Sequence, residues 1–345
     1  MKHKEKYGVV LVGCGYIGKI HIEDIYDLDC VELIGTVDVS EANAIKFKQR
    51  YGALSHSTDY RDYLDDPRVD IVVIATYTES HVPILLDCIA HGKHVLCEKP
   101  LSDSLDDTVS CLDAIEKSES KVLVGHILRH SPTYAKIAEL IQSGAIGDLR
   151  VMRIVQNHHA LNWKRYSSLL AHTSPIVDCG VHYIDLAQWL SGKKIVSVSG
   201  CGSILDPDVS SYNYGMLTMT LENGAVAFFE AGWSKSISGS NVKEFVGTKG
   251  HIKMTMGADR PVQHEEGDLI QWYDASTGEY HMINMKKELV KDMKSQFLYL
   301  IRMIEEDAPA NPSPEDIISC MKIAFIGDRA IREGKTFTIE ETDID

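Results

Sequence analysis

The chain has 345 residues, 44% of them hydrophobic and 25% charged, with a formal net charge of −15. That length allows two domains and a large core, and the composition is ordinary for a soluble globular protein. The acid surplus argues against nucleic acid or an anionic membrane surface as the partner, because nothing would neutralise phosphates in quantity. No apolar run approaches the ~20 residues of a membrane span.

The charged stretch from Met1 to Tyr7 runs into a strand rather than a signal-peptide core. The expected compartment is therefore the cytoplasm. Cys14, Cys30, Cys88, Cys97, Cys111, Cys179, Cys201 and Cys320 are scattered with no C-x-x-C pair. They read as structural thiols rather than as a disulfide framework or a zinc site.

Short apolar runs alternate with helical patterns over the first ~125 residues, the signature of a parallel sheet built from βαβ units. Strands are expected at Tyr7–Val12, Val31–Val37, Val69–Ala75, His94–Cys97 and Lys121–Gly125. Helices are expected at Ile17–Tyr26, Glu41–Tyr51 (closed by Gly52), Ser80–Ala90 (closed by Gly92) and Ser104–Lys117, with a short one at Asp59–Leu64. The rhythm then changes. Pro132–Ser143 and Val181–Leu190 read as helices, Arg150–His158 as a strand and Trp163–Ser174 as a loop. From Ile195 to about Met285 strand follows strand, and Glu222-Asn223-Gly224 turns a clear hairpin. Helices near Lys291–Glu305 and Pro314–Arg332 close the chain. The expected fold is α/β: a doubly wound parallel sheet over residues 1–125, then an α+β domain over 126–345 with a large, mostly antiparallel open sheet.

Three glycines stand where the first strand meets the first helix, in Gly13-Cys14-Gly15-Tyr16-Ile17-Gly18. Asp38 follows twenty residues after Gly18, at the end of the second strand. Each part has a job in holding a dinucleotide. Gly13 permits the tight turn, Gly15 lets the backbone approach a pyrophosphate, and Gly18 packs helix on strand. The helix N-terminus offers N–H groups to phosphate, and Asp38 can accept from ribose hydroxyls. A carboxylate there repels a 2′-phosphate, and Val39-Ser40 bring no arginine, so NAD is favoured over NADP.

A second stretch is more specific. "HGKHVLCEKPLS" (91–102), together with the glycine turn and "DCGVHYIDLAQWL" (178–190), resembles the Gfo/Idh/MocA family of sugar and polyol oxidoreductases, and the resemblance spans essentially the whole chain. Glu98-Lys99-Pro100 matches the family hallmark. "IATYTESHV" (74–82) and "VGHILRHSP" (124–132) are also similar to family segments. The resemblance implies a Rossmann domain with dinucleotide contacts at Thr76, His81, Glu98 and Lys99, besides Gly13, Gly15, Tyr16, Ile17, Gly18 and Asp38. It also implies a frequently cis Lys99–Pro100 bond, and a dimer or tetramer built on the open sheet face. The apolar alternation in Met216–Phe229 suits such a face.

The chemistry can be argued beside the resemblance. Oxidising a secondary alcohol needs a hydride acceptor and a group to manage the hydroxyl proton. Lys99 ends a buried strand on the sheet edge where open α/β sheets bind ligands, and partial burial near a cationic nicotinamide would lower its pKa. Asp178 and His182 are four residues apart, a spacing that puts both on one helix face. His182 suits proton relay, and Asp178, near a helix start, is stabilised as an anion and can orient the imidazole. The resemblance implies that these two work with the lysine. Asp185 lies three residues further on, but no metal is expected, since the reaction already has a cofactor and H-E-x-x-H is absent.

Aromatic rings and imidazoles suit a sugar or polyol. The substrate candidates are His158, Trp163, Tyr166 and His172, with Arg129 either a fixed cation or an ordinary ion pair. Two departures from the family stand out: Thr173-Ser174-Pro175-Ile176-Val177 replaces a glycine-rich run, and Ile127 lies where many members carry asparagine nearby. The expected activity is hydride transfer between NAD and a sugar, sugar derivative or cyclic polyol. An NAD-using glycosidase and a non-enzymatic dinucleotide-binding regulator remain open as alternatives.

Overall fold

The structure, a computed structural model, describes residues 4–256, 267–285 and 292–342. In chain order the strands are β1 Tyr7–Val12, β2 Val31–Val37, β3 Ser55–Ser57, β4 Ile71–Ile74, β5 His94–Cys97, β6 Val122–Val124, β7 Leu149–His159, β8 Ile195–Ser203, β9 Tyr214–Leu221, β10 Val226–Ser234, β11 Ser240–Gly247, β12 Gly250–Thr255, β13 Asp268–Asp274, β14 Glu279–Met285 and β15 Phe337–Thr338. The helices are α1 Tyr16–Ile25, α2 Glu41–Tyr51, α3 His81–Ala90, α4 Leu105–Glu116, α5 Pro132–Gln142, α6 Trp163–Leu170, α7 Pro175–Ser191, α8 Met293–Glu306 and α9 Pro314–Glu333. Single 3₁₀ turns cover Tyr60–Tyr63, Thr78–Ser80 and Ile127–His130.

Contacts divide the chain into two units. The first runs to His130 and takes back the segment that ends at Ile318. The second runs from Ser131 and resumes at Ser319.

In the first unit six parallel strands lie in the order β3-β2-β1-β4-β5-β6, which is the doubly wound dinucleotide-binding order. Every residue of β1 is buried, as expected of a strand covered by helices on both faces. The reversal of strand order falls between β1 and β4, so the C-terminal ends of these strands form the ligand-binding rim. A single seam near residue 125 leaves out the return of α8. Its apolar face, Phe297, Leu300, Ile301 and Ile304, joins one core cluster with Ile22 and Ile25 of α1, and the amide of Met293 donates to Asp24 Oδ2 at 2.9 Å. Burying each such side chain stabilises by about 1.5–3 kcal/mol.

In the second unit nine strands lie in the order β14-β13-β12-β11-β7-β10-β9-β8-β15. Among the described residues only β7 and β10 pair in parallel in this sheet; the other pairs are antiparallel. The expected hairpin is β9–β10. The amide of Gly224 donates to Leu221 O, and that of Leu221 to Ala225 O. Only Gly224 has a positive φ, 76°, so the loop has three residues with glycine in the left-handed position rather than a two-residue Asn-Gly turn.

Two expectations need correction in this unit. Trp163–Ser174, read as a loop, contains helix α6. Trp163, Tyr166 and Leu170 recur at helical spacing, but no residue of α6 is buried, and the apolar count is too low to announce it. Helix α7 begins at Pro175 rather than near Val181. Ser174 Oγ accepts from the Val177 amide at 3.2 Å, and proline sits at the first helical position, where its missing N–H costs nothing. The strands β3 and β15, of three and two residues, are too short and polar for periodicity to reveal.

Candidate active site

In the first unit the glycine turn connects β1 to α1. Gly13 has φ 101°, and a Cβ there would lie 2.4 Å from the carbonyl oxygen of Ala75. A Cβ on Gly18 would lie 1.9 Å from Gly13 O. Both positions are closed to side chains by the protein itself. Gly15 is different: nothing lies within 4 Å of its notional Cβ, so its backbone faces open space. Gly15 is also the N-cap of α1, with no side-chain cap and no acid in the first turn. The helix N–H groups and dipole are therefore available to phosphate. Tyr16 is 57% exposed, whereas Ile17 packs against the core cluster and has only its backbone to offer a ligand.

Asp38 is tied to this turn. Its Oδ2 accepts the Cys14 amide at 2.9 Å and its Oδ1 the Ser40 amide at 2.8 Å. A carboxylate has about four acceptor sites, which leaves capacity for ribose hydroxyls. Burial, reinforced by Asp38, pushes the Cys14 thiol up to about 12, so it stays protonated. These features fit a dinucleotide: an opening a Cβ would fill, uncapped helix N–H groups, and an acid at the ribose position.

Lys99 follows β5 and is half-buried, and the Lys99–Pro100 peptide is cis. Its neighbours differ from expectation in their contacts. Glu98 is 8% exposed; its Oε1 lies 2.7 Å from His21 Nε2 and its Oε2 accepts the Lys99 amide at 3.2 Å. His81 is 1% exposed, with Nδ1 2.8 Å from Pro100 O and Nε2 3.3 Å from Thr76 O. Burial lowers the pKa of His81, so the ring is neutral with one N–H, and the shorter contact to Pro100 takes it. Glu98 and His81, expected to touch the cofactor, also hydrogen-bond within the protein, to the backbone and to His21. Thr76 is half-buried at the β4 end, its hydroxyl donating to Tyr77 O at 3.2 Å. Arg129, a substrate candidate, has a side chain only 7% exposed; it pairs with Asp316 at 3.0 Å and donates to Asn311 Oδ1 at 3.0 Å. The ion pair, one of the two roles expected of it, is present.

In the second unit Asp178 lies in the first turn of α7, with His182 one turn further on. Both are half-buried, and Asp185 is 2% exposed. The helix lies on the inner face of the large sheet: a Cβ on Gly180 would meet the ring of Phe229 at 3.2 Å. Trp233, four residues along β10, shares that face, and β7 places His158 beside it in register. The Tyr166 ring from α6 reaches both, at 5.7 Å from Trp233 and 6.1 Å from His158. The structure thus gathers His158 and Tyr166 with Trp233, which sequence reading missed. A second omission is Lys243, 1% exposed, whose Nζ donates to Val155 O and Asn241 Oδ1 and lies 4.6 Å from the Tyr183 ring centroid.

Trp163 points elsewhere. Its Nε1 donates to Asp208 at 2.7 Å, and Lys235 sits over its ring at 4.5 Å. It anchors α6 rather than joining the aromatic group. His172 is exposed in the loop after α6. Among the described residues no cluster of three or more His, Cys, Asp or Glu could hold a metal ion, and no helix is long and apolar enough to cross a membrane.

The fold and the glycine turn define a dinucleotide-dependent oxidoreductase. The chain belongs to the GFO/IDH/MocA family: residues 7–126 match its NAD-binding Rossmann oxidoreductase domain and residues 134–253 its C-terminal domain. It is an NAD-dependent enzyme acting on CH–OH groups. Myo-inositol 2-dehydrogenase of Thermotoga maritima is 24% identical over 341 residues, which are 96% of this chain and 98% of the relative. Inositol 2-dehydrogenase 2 of Saccharopolyspora erythraea is 29% identical over 269 residues, 74% of this chain and 75% of that one. The crystal structure of scyllo-inositol dehydrogenase from Lactobacillus casei with bound NAD(H) and scyllo-inositol has the same fold. Its TM-score is 0.79 at 21% identity, covering 97% of this chain and 100% of that one.

Proposed function

We propose that this enzyme oxidises a ring hydroxyl of a cyclic polyol of the inositol type, with NAD held by the first unit and the polyol by the second. The carrying observation is the His158–Tyr166–Trp233 group on the sheet face that also bears α7. Rings present an apolar surface to the C–H face of a polyol, and imidazole and phenol tips suit its hydroxyls. The names of the inositol dehydrogenase relatives support the same reading.

In this reading Gly13, Gly15 and Gly18 with the start of α1 hold the pyrophosphate, and Asp38 holds the ribose. NAD, when bound, accepts the hydride. The Lys99 ammonium donates to the reacting oxygen and stabilises negative charge that develops there. His182 takes the hydroxyl proton, and Asp178 orients the imidazole and favours its charged form. The open face of the large sheet, where Met216, Phe228 and Met282 are exposed, joins copies of the chain into a dimer or tetramer. The cytoplasm is the compartment we assign.

The test is a panel of inositols, sugars and amino sugars with NAD and with NADP, followed by reduced-cofactor absorbance. Turnover of inositols with NAD, abolished by Lys99→Ala while NAD binding persists, is the expected result. Oxidation of none of the panel, or surviving turnover in Lys99→Ala, would overturn it.

A further inference from the structure

We propose that His21 is a positioning residue for catalysis, acting through Glu98 on the backbone of Lys99. The proposal rests on the reading of Lys99 as the group that meets the reacting oxygen. His21 lies on α1, three residues after Gly18, and is 1% exposed. Its Nε2 is 2.7 Å from Glu98 Oε1, and the other oxygen of Glu98 accepts the Lys99 amide.

The protonation states follow from the partners. Nδ1 of His21 is buried with no hydrogen-bond partner. A buried N–H without an acceptor is rare, whereas an unfilled lone pair is better tolerated. The ring therefore carries a proton on Nε2, the nitrogen that faces Glu98. Glu98 accepts N–H donors from His21 and from Lys99, one on each oxygen. A buried carboxyl group depends on its hydrogen-bond partners, and here these include a helix side chain and the amide of Lys99. On the far side of the same turn His81 donates to Pro100 O. The turn is thus held at the Lys99 amide by Glu98 and, one peptide beyond Lys99–Pro100, at the Pro100 carbonyl by His81.

Two features set this apart from ordinary core packing. The helix that carries His21 is the one whose uncapped N-terminus is the proposed phosphate site. And Gly125 leaves the space that Glu98 fills: a Cβ there would lie 3.2 Å from Glu98 Oε2. The arrangement ties the phosphate-binding helix to the lysine turn through one carboxylate.

The test compares His21→Phe, which removes the donor at similar volume, with His21→Gln, whose amide can donate from the place of Nε2. Lys99→Ala is measured alongside. We expect kcat of His21→Phe to fall about tenfold to a hundredfold, as for a small misplacement of a reacting group. NADH affinity, read by fluorescence, should stay within about threefold, and His21→Gln should recover most of kcat. If His21→Phe does not fold, Glu98→Gln carries the same expectation, since its amide nitrogen cannot accept from both donors. Unchanged kcat in His21→Phe with an inactive Lys99→Ala overturns the positioning role alone. So does a joint loss of kcat, NADH affinity and melting temperature that His21→Gln does not repair. Full activity in Lys99→Ala overturns the underlying reading, and the positioning role with it.

Discussion

The amide of Cys14 donates to Asp38 Oδ2 at 2.9 Å, so the glycine turn and the acid twenty residues beyond it form one piece. Asp38 thus has a structural duty as well as the ribose contact proposed for it, and the two can be separated. Asparagine keeps an acceptor for the Cys14 amide but loses the charge. Asp38→Asn is expected to fold normally, to raise the KM for NAD about tenfold and to narrow the preference over NADP, because the repulsion of a 2′-phosphate is gone. Steady-state kinetics with both dinucleotides checks this. An unchanged ratio of the two would confine Asp38 to the turn.

The three glycines separate in the same way. Gly13→Ala and Gly18→Ala force a Cβ to 2.4 and 1.9 Å from backbone oxygens, so the loss falls on stability, at about 1–3 kcal/mol or more. Gly15→Ala meets nothing within 4 Å and has an ordinary φ of −89°. Its melting temperature should match wild type while NAD affinity drops about tenfold, as one close phosphate contact is lost. Thermal melts and NADH titration separate the cases. A stable Gly15→Ala that binds NAD normally would remove the phosphate from this turn.

Features carried by local chemistry were legible in the sequence. The bounds of β1, β2, α2 and β5 agree residue for residue with the pattern of apolar runs and glycine stops. The doubly wound order followed from the alternation of strand and helix. Less legible were features that depend on partners far along the chain. Trp233 meets His158 and Tyr166 only because β10 pairs with β7 in parallel, some 75 residues away. Lys243 occupies a position otherwise fit for an apolar residue, and its partners include groups on β7 and α7. Glu98 and His81 stand in motifs that point to a cofactor, and their hydrogen bonds to His21, Thr76 and the backbone around Lys99 are contacts no motif announces. Helix α6 went unread because it has no fully buried residue; its Trp163 and Tyr166 meet Asp208, Trp233 and His158, all set by other parts of the chain.

His81 and His94 give the first unit an acid sensitivity whose sign can be worked out. Burial lowers both pKa values below the ordinary 6.5, and His94 Nδ1 accepts the Lys121 amide at 2.9 Å, which needs its lone pair. Below pH 6.5 the unfolded chain binds these protons and the folded one does not. Their contribution to stability is therefore complete above about pH 6.5 and declines as pH falls, by at most about 1.4 kcal/mol per pH unit for each histidine. Urea unfolding at stepped pH measures the slope. His81→Asn, which keeps a donor near Nδ1, and His94→Asn, which keeps an acceptor, should each flatten it. A slope that survives both variants would assign the acid sensitivity to other groups.

Tyr166 and Trp163 stand three residues apart on α6 and divide its work. The Trp163 indole N–H holds the Asp208 carboxyl below its ordinary pKa and fastens the helix, while Tyr166 turns its ring toward His158 and Trp233. If that ring covers the face of a polyol, Tyr166→Ala raises substrate KM about tenfold with the KM for NAD unchanged, and Tyr166→Phe, which keeps the face, loses far less. Trp163→Phe leaves the ring of Tyr166 intact but removes the indole donor to Asp208. It should raise substrate KM less than Tyr166→Ala does, while speeding amide exchange across 163–170, because a helix with no buried residue depends on each such contact. Equal KM values in all three variants would make α6 a surface helix without a part in substrate binding. Fast exchange in Trp163→Phe with an unchanged KM would leave Trp163 as an anchor the substrate does not feel.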